Sequence, residues 1–286
     1  ACARLAGPNL NAFVAIARTL REAGLSAPEI FAADPATGFA LIEDLGDNLF
    51  VRAVDAGADE AALYRAAIDA LIVLRNADIA PPHGANYRML DYDRTAMEAE
   101  VDLLSEWYWP HKTGATIDDG KQQAYNAAWR APLDALSAPH AIVLRDFHAE
   151  NLLWEPSREG ARRVGVIDFQ DGLYGHAAYD LVSLLQDARR DVSRAVVDVA
   201  LQRYIDKARE RRDFDEDRLL SDYAILGAQR NAKILGIFAR LIHRDGKPRY
   251  AQFMPRVEAH FRSNLTHPSL ADVCAFFVDY MPELAP

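Results

Sequence analysis

Val143-Leu144-Arg145-Asp146-Phe147-His148-Ala149-Glu150-Asn151-Leu152-Leu153-Trp154, answered by Val164-Gly165-Val166-Ile167-Asp168-Phe169-Gln170-Asp171, decides how this chain reads. Ile142-Val143-Leu144 and Val164-Gly165-Val166-Ile167 are short, apolar and β-branched, the composition of buried strands. Between them lies Glu155-Pro156-Ser157-Arg158-Glu159-Gly160, a run of turn formers. A hairpin of these two strands is expected to carry the end of a loop and Asp168 into one cleft. An Asp, an Asn five positions later and an Asp seventeen beyond that would then converge.

These three groups suit phosphoryl transfer from ATP. Mg²⁺ is a hard cation that keeps several waters and takes only one or two oxygen ligands from the protein. Asn151 and Asp168 fit that task, and Asp146 is the candidate base for the acceptor hydroxyl. Its main service is alignment, because the transition state is loose and electrostatic stabilisation dominates. Taken singly, Asp146 and Asn151 would read as turn caps and Asp168 as the cap of a strand end.

Together they resemble the protein-kinase set of a catalytic Asp with an Asn five residues on, followed by Asp-Phe-Gly. Here the second part is Asp168-Phe169-Gln170, and Gln170 with Asp171 points toward the aminoglycoside phosphotransferase and choline kinase branch. The stretch Leu41-Ile42-Glu43-Asp44-Leu45-Gly46-Asp47 resembles the hinge of that family, which implies that backbone groups of Glu43, Asp44 and Leu45 seat the adenine. In the family an Asp opening the next helix ties down the catalytic loop. Asp180 matches it, with loop backbone or Arg145 as its partner, and helix-terminus electrostatics is the plainer reading. His148 is expected to order the loop. The implied fold is α+β and two-lobed, with a small, incomplete front lobe over residues 1–46 and a mostly helical lobe over 47–286.

Within that family, Asp168-Phe169-Gln170-Asp171 followed by Tyr179-Asp180-Leu181-Val182-Ser183-Leu184-Leu185 resembles bacterial sugar kinases of the peptidoglycan-recycling type. Those enzymes phosphorylate the anomeric hydroxyl of N-acetylmuramate or N-acetylglucosamine. The resemblance runs from about Asn11 to at least Leu241, and Gly227-Ala228-Gln229-Arg230-Asn231-Ala232-Lys233-Ile234-Leu235-Gly236 belongs to the same subgroup.

Helical angles put Gln229, Arg230, Lys233 and Arg240 on one side, with Asn231 among apolar neighbours. Arg230 or Lys233 would hold the lactyl carboxylate of muramate or a phosphate, or else be solvated charges. Asn231, if buried, needs backbone or substrate as a partner. Asp187 and Asp191 fall on the helical face of Asp180, so Asp187 either meets substrate hydroxyls or joins a solvated acidic stripe. Exposed Asp171 and Asp187 would favour a cationic aminoglycoside or choline instead. Trp107-Tyr108-Trp109 reads as a sugar-stacking wall or as core.

With 286 residues, half of them hydrophobic, the chain can bury a large core. A net charge of −10 and the lack of a basic run argue against a nucleic-acid partner. No apolar run suggests a membrane span or a secretory signal, and Cys2 and Cys274 are too few for a disulfide framework. A cytoplasmic monomer acting on a small molecule is expected. Amphipathic helices are expected at Asn11–Ala23, Ala61–Arg75 and Arg94–Trp107, then near 178–187, 193–211, 217–243, 255–263 and 269–279.

One departure stands out. Such a kinase begins with a Gly-rich hairpin and a Lys-bearing strand, yet the first lysine is Lys112 and Glu22 lies too near its helix end to serve as the usual acidic partner. Either those strands lie outside this stretch of chain, or the protein is a catalytically degenerate binding relative.

Overall fold

The computed structural model describes residues 2–77, 79–84, 86–137, 141–211 and 214–286. Helix α1 (Cys2–Glu22) is followed by strands β1 (Ile30–Asp34) and β2 (Phe39–Ile42), helices α2 (Phe50–Asp55) and α3 (Glu60–Asn76), and short strands β3 (His83–Gly84) and β4 (Tyr87–Arg88). Helix α4 (Arg94–Leu103) passes through a π-helical turn, Leu104–Tyr108, into α5 (Trp109–Thr113), and α6 (Asp119–Ala135) comes next. Strands β5 (Ala141–Val143), β6 (Leu152–Trp154), β7 (Val164–Val166) and β8 (Leu173–Gly175) lead to α7 (Ala178–Leu185) and α8 (Arg194–Ala208). Helices α9 (Glu216–His243), α10 (Met254–Leu265) and α11 (Ala271–Tyr280) complete the chain. All four strand pairs are antiparallel, which makes the fold α+β as expected.

The chain divides into two compact units, residues 1–91, 139–187 and 192–214 in the first and 92–138, 188–191 and 215–286 in the second. In the first unit, α1 buries Ile16, Ala17 and Leu20. It ends in a Schellman motif: Leu25 N–H donates to Leu20 O, Gly24 N–H donates to Arg21 O, and Gly24 adopts φ +90°, which a side chain would strain. Helix α3 packs on α8, where Arg203 holds Asp69 through two hydrogen bonds of 2.8 and 2.7 Å.

The front hairpin β1–β2 is anchored through one carboxylate. Glu43 accepts from Arg158 at 2.6 Å, from Arg21 at 3.1 Å and from the Glu29 backbone N–H at 3.1 Å. Arg158 also donates to Ser26 Oγ, which donates to Arg162 O. Thus α1, the hairpin and the β6–β7 turn share one charge cluster. Partial burial pushes the Glu43 carboxyl up, but the Glu29 amide and the two arginines outweigh it and hold the carboxyl below its ordinary value.

Strand pairing differs from the expected hairpin. Ala141–Val143 pairs with Leu173–Gly175, and Val164–Val166 pairs with Leu152–Trp154. The turn-rich 155–160 run directly follows Trp154, so Leu152-Leu153-Trp154 is the strand adjacent to it and closes the shorter loop.

In the second unit, α9 packs against α4, the π-helical turn and α10. A Cβ on Gly236 would come within 2.3 Å of the Leu103 backbone, so the absence of a side chain there permits the close approach of α9 to α4. Helix α6 was not among the expected elements. Asp118 caps it by accepting from Lys121 N–H, and Tyr125, Ala128, Trp129 and Leu133 form its buried face. Tyr108 and Trp109 are core: Tyr108 is buried with its hydroxyl 2.5 Å from Glu258, and Trp109 packs on Phe276. The aromatic run is therefore a packing element for those two rings.

Two stability outcomes follow from these contacts. Gly236→Ala should destabilise by about 1–3 kcal/mol by overpacking, although Ala is the better helix former; denaturant unfolding no weaker than wild type would contradict the close approach. Glu43→Gln should cost about 1.5–3 kcal/mol at pH 7. Because the folded carboxyl titrates below its unfolded value, its contribution is complete above the unfolded value of about 4.3 and is lost as pH falls through the folded one. Urea unfolding of both proteins across pH 3–7 should show the gap closing on acidification, and a pH-independent gap would refute the assignment.

Candidate functional site

Strand β5 is fully buried and delivers the chain to a clamped loop. Asp180, 2% exposed in the first turn of α7, accepts from Leu144 N–H at 2.7 Å and from Arg145 N–H at 2.8 Å. Ser183, one turn further, donates to Arg145 O at 3.1 Å. These bonds hold Arg145 at φ +69°, a left-handed conformation uncommon for a non-glycine residue. The amides also offset the burial of the Asp180 carboxylate through charge-assisted bonds.

After that kink, Asp146 N–H donates to Leu144 O and His148 N–H donates to Asp146 O. His148 is buried, and its Nε2 lies 3.5 Å from Asn151 Nδ2. Asn151 Nδ2 donates to Asp146 O at 3.0 Å and approaches Asp168 Oδ2 at 3.4 Å.

The β6–β7 register explains the last contact. Leu152 opposes Val166, so the residues just outside that pair, Asn151 and Ile167, meet as Ile167 N–H donates to Asn151 O at 3.1 Å. Asp168 follows at once, with φ +60° and an exposed side chain. Gln170 donates to its other oxygen, Oδ1, at 2.6 Å. Phe169 behind it is buried and stacks on Phe13 of α1, rings 4.9 Å apart and 12° from parallel. Asp146, Asn151 and Asp168 therefore lie together within the first unit.

The contact between Asn151 and Asp168 runs through the Asn151 Nδ2, so a hard cation that retains water would take the amide Oδ1 and a carboxylate oxygen of Asp168. No group of three or more His, Cys, Asp or Glu with metal-holding geometry occurs among the described residues. A cation here would rest on Asn151 and Asp168.

At the hinge, Glu43 spends its side chain on the arginine cluster, while its amide donates to Glu29 O at 2.8 Å. Asp44 is exposed and accepts from Gly46 N–H, and Leu45 is buried against Gly165. Among the described residues the backbone amides and carbonyls of Asp44 and Leu45 take no hydrogen-bond partner. Such open groups beside a buried apolar side chain suit a flat heteroaromatic ring.

The expected substrate residues separate. Asp171 is exposed, and its carbonyl accepts from Arg145 at 3.4 Å. Asp187 is buried, and α7 ends at Leu185, so the shared helical face of Asp180, Asp187 and Asp191 does not exist. Asp191 is exposed and held by Arg256, so no solvated stripe runs from Asp187.

Arg230, Asn231 and Lys233 belong to the second unit. Arg230 and Asn231 are buried, which rules out the reading of a solvated Arg230. Lys233 pairs with Glu100 at 2.9 Å, and Glu100 also accepts from Gln229 and from Tyr92. Gln170, Ser183 and Glu100 carry contacts that sequence reasoning did not assign. Ser183 sits three residues after Asp180, and that helical spacing was a usable signal.

The family model described as "Phosphotransferase enzyme family" matches residues 4–220. The chain is 44% identical over 287 residues to the N-acetylmuramate/N-acetylglucosamine kinase of Caulobacter vibrioides, covering 99% of this chain and 78% of that protein. It is 35% identical to the protein of the same name from Pseudomonas aeruginosa, covering 91% and 75%. Among solved structures, a choline/ethanolamine kinase family protein from Mesorhizobium loti superposes with a TM-score of 0.60 at 17% identity, covering 94% of this chain and 83% of that one. An ADP-bound aminoglycoside phosphotransferase gives 0.55 at 15%, covering 87% and 80%. At these identities the structural likeness speaks for the fold, and the sequence matches carry the family. The chain belongs to the phosphotransferase enzyme family.

Proposed function

We propose that the chain is an ATP- and Mg²⁺-dependent kinase that phosphorylates the anomeric hydroxyl of N-acetylmuramate or N-acetylglucosamine in cell-wall recycling, acting as a cytoplasmic monomer. The observation that carries the reading is Asp146, Asn151 and Asp168 gathered at one loop in a chain 44% identical to a kinase named for those two sugars. ATP with its metal would supply the phosphoryl group and neutralise charge on its oxygens.

The chain's own residues supply position. Asp146 aligns the sugar hydroxyl and accepts its proton as the bond to phosphorus forms. Asn151 and Asp168 hold the metal, and the open backbone of Asp44 and Leu45, carried by Glu43, seats the adenine. Arg145 and Asp180 keep the loop in its strained shape, and His148 packs beneath it. Asp171, Asp187, Arg230, Asn231 and Lys233 are the residues assigned to the substrate, Lys233 being paired with Glu100. Residues 1–46 make up part of the front lobe in this scheme, and 47–286 the helical lobe.

Asp146→Asn should lower turnover on the order of 10²–10⁴-fold while ATP affinity stays within a few fold; undiminished turnover would remove Asp146 from the role. Asp168→Ala should abolish Mg²⁺-dependent nucleotide binding measured by calorimetry. An ATP-consumption screen against N-acetylmuramate, N-acetylglucosamine, choline and an aminoglycoside, with phosphorus NMR of the product, decides the substrate. Turnover confined to choline or the aminoglycoside would overturn the sugar assignment.

A further inference from the structure

A cleft of about 640 Å³ opens in the first unit, on the side of α1 away from Phe169. None of Asp146, Asn151, Asp168 or the 43–45 hinge lines it. Its size falls in the range of small-molecule sites. Val14 and Pro82 contribute apolar wall, and the polar lining includes Asn11, Arg18, Glu22, His83, Asn86 and Tyr87. Arg18 and Glu22 project one turn apart on the exposed stripe of α1, and neither enters an ion pair with another described residue. His83, from the β3–β4 segment, lines the same cleft. Tyr87 is half-buried, burial and then the Asp171 charge raise its hydroxyl pKa above the ordinary value, and the hydroxyl can donate.

We infer that this cleft is an effector site for a small, hydroxyl-rich phosphate monoester, a sugar phosphate in chemical class. Arg18 offers a planar fork matched to phosphate oxygens, and His83 adds a second donor. Asn11, Asn86 and Glu22 supply the mixed donors and acceptors that ring hydroxyls require, and Tyr87 supplies an amphipathic ring edge. The opposite side of α1 carries Phe13, stacked on the residue that follows Asp168, and Ile16, which reaches within contact of the Gly172 position. A ligand bridging α1 to the 79–87 segment would thereby bias the placement of Asp168. Feedback from the enzyme's own product class is the natural use, and in that respect the inference rests on the kinase reading.

Calorimetric titration of the chain with N-acetylglucosamine 1-phosphate tests it, alongside N-acetylglucosamine and inorganic phosphate separately. The phosphorylated sugar should bind at least tenfold more tightly than either half. Arg18→Ala and His83→Ala should each weaken one binding event tenfold or more, and Ala15→Trp, which fills the cleft, should remove that event and leave only product binding at the catalytic loop. Asp168→Ala and Asp146→Asn should leave the cleft event unchanged. Binding that is unaltered by Ala15→Trp but lost in Asp168→Ala would place the ligand at the catalytic loop alone and overturn the inference, as would no binding to the unmodified chain. Because Asp146→Asn separates binding from turnover, a chain that phosphorylates sugars but shows no cleft binding refutes the effector site alone.

Discussion

Two hydrogen bonds from the Leu144 and Arg145 amides to the buried Asp180 carboxylate govern the site. They hold the chain in a left-handed turn at Arg145, where a non-glycine residue is strained, and Ser183 fixes the following carbonyl. Strain of this kind persists only where surrounding contacts over-determine it. Here a fully buried strand lies before the kink and a buried helix turn lies behind it. The direction in which Asp146 leaves β5 is a consequence of that clamp. A buried carboxylate without those amides would be costly in turn, so clamp and loop stabilise each other.

The second constraint is the register of β6 on β7. A side-chain period of two means that a slip by one residue would send Asn151 and Asp168 to opposite faces. The pairing of Leu152 with Val166 sets Asn151 beside Ile167 and brings Asp168 within 3.4 Å of its amide. The Glu43 cluster ties the 43–45 segment to the turn of that same hairpin through Arg158, so the two share one anchor. Phosphoryl transfer asks little covalent chemistry of a protein and much positioning, and buried, doubly bonded fixtures of this sort provide it.

Much of this was legible in the linear chain. That Asp146, Asn151 and Asp168 meet at one loop was readable from residue type and spacing, and the Asp180 clamp on that loop from the family resemblance. Most helices followed from apolar periodicity, and α1 from its Gly24 stop. What escaped had physical reasons. Leu152-Leu153-Trp154 looked like loop because a three-residue strand has too little length to show alternation. Helix α6 carries Gly120 and Pro132, which dilute a pattern that Tyr125, Ala128, Trp129 and Leu133 nonetheless keep. Asp187 was placed by extending a helix that stops at Leu185.

The sequence by itself determined the chemistry on offer: two carboxylates and an amide at intervals that a strand–turn–strand can close, on a hydrophobic chain of net negative charge. Chemistry of that kind depends on side-chain identity and short-range geometry, both local properties. Only the tertiary structure decided which strands pair, that Glu43 serves an arginine cluster, that Lys233 is neutralised by Glu100, and that Tyr108 and Trp109 are core. Each of these is a contact between residues far apart in the chain, where burial and the need to satisfy a charge select one partner among many that composition would allow.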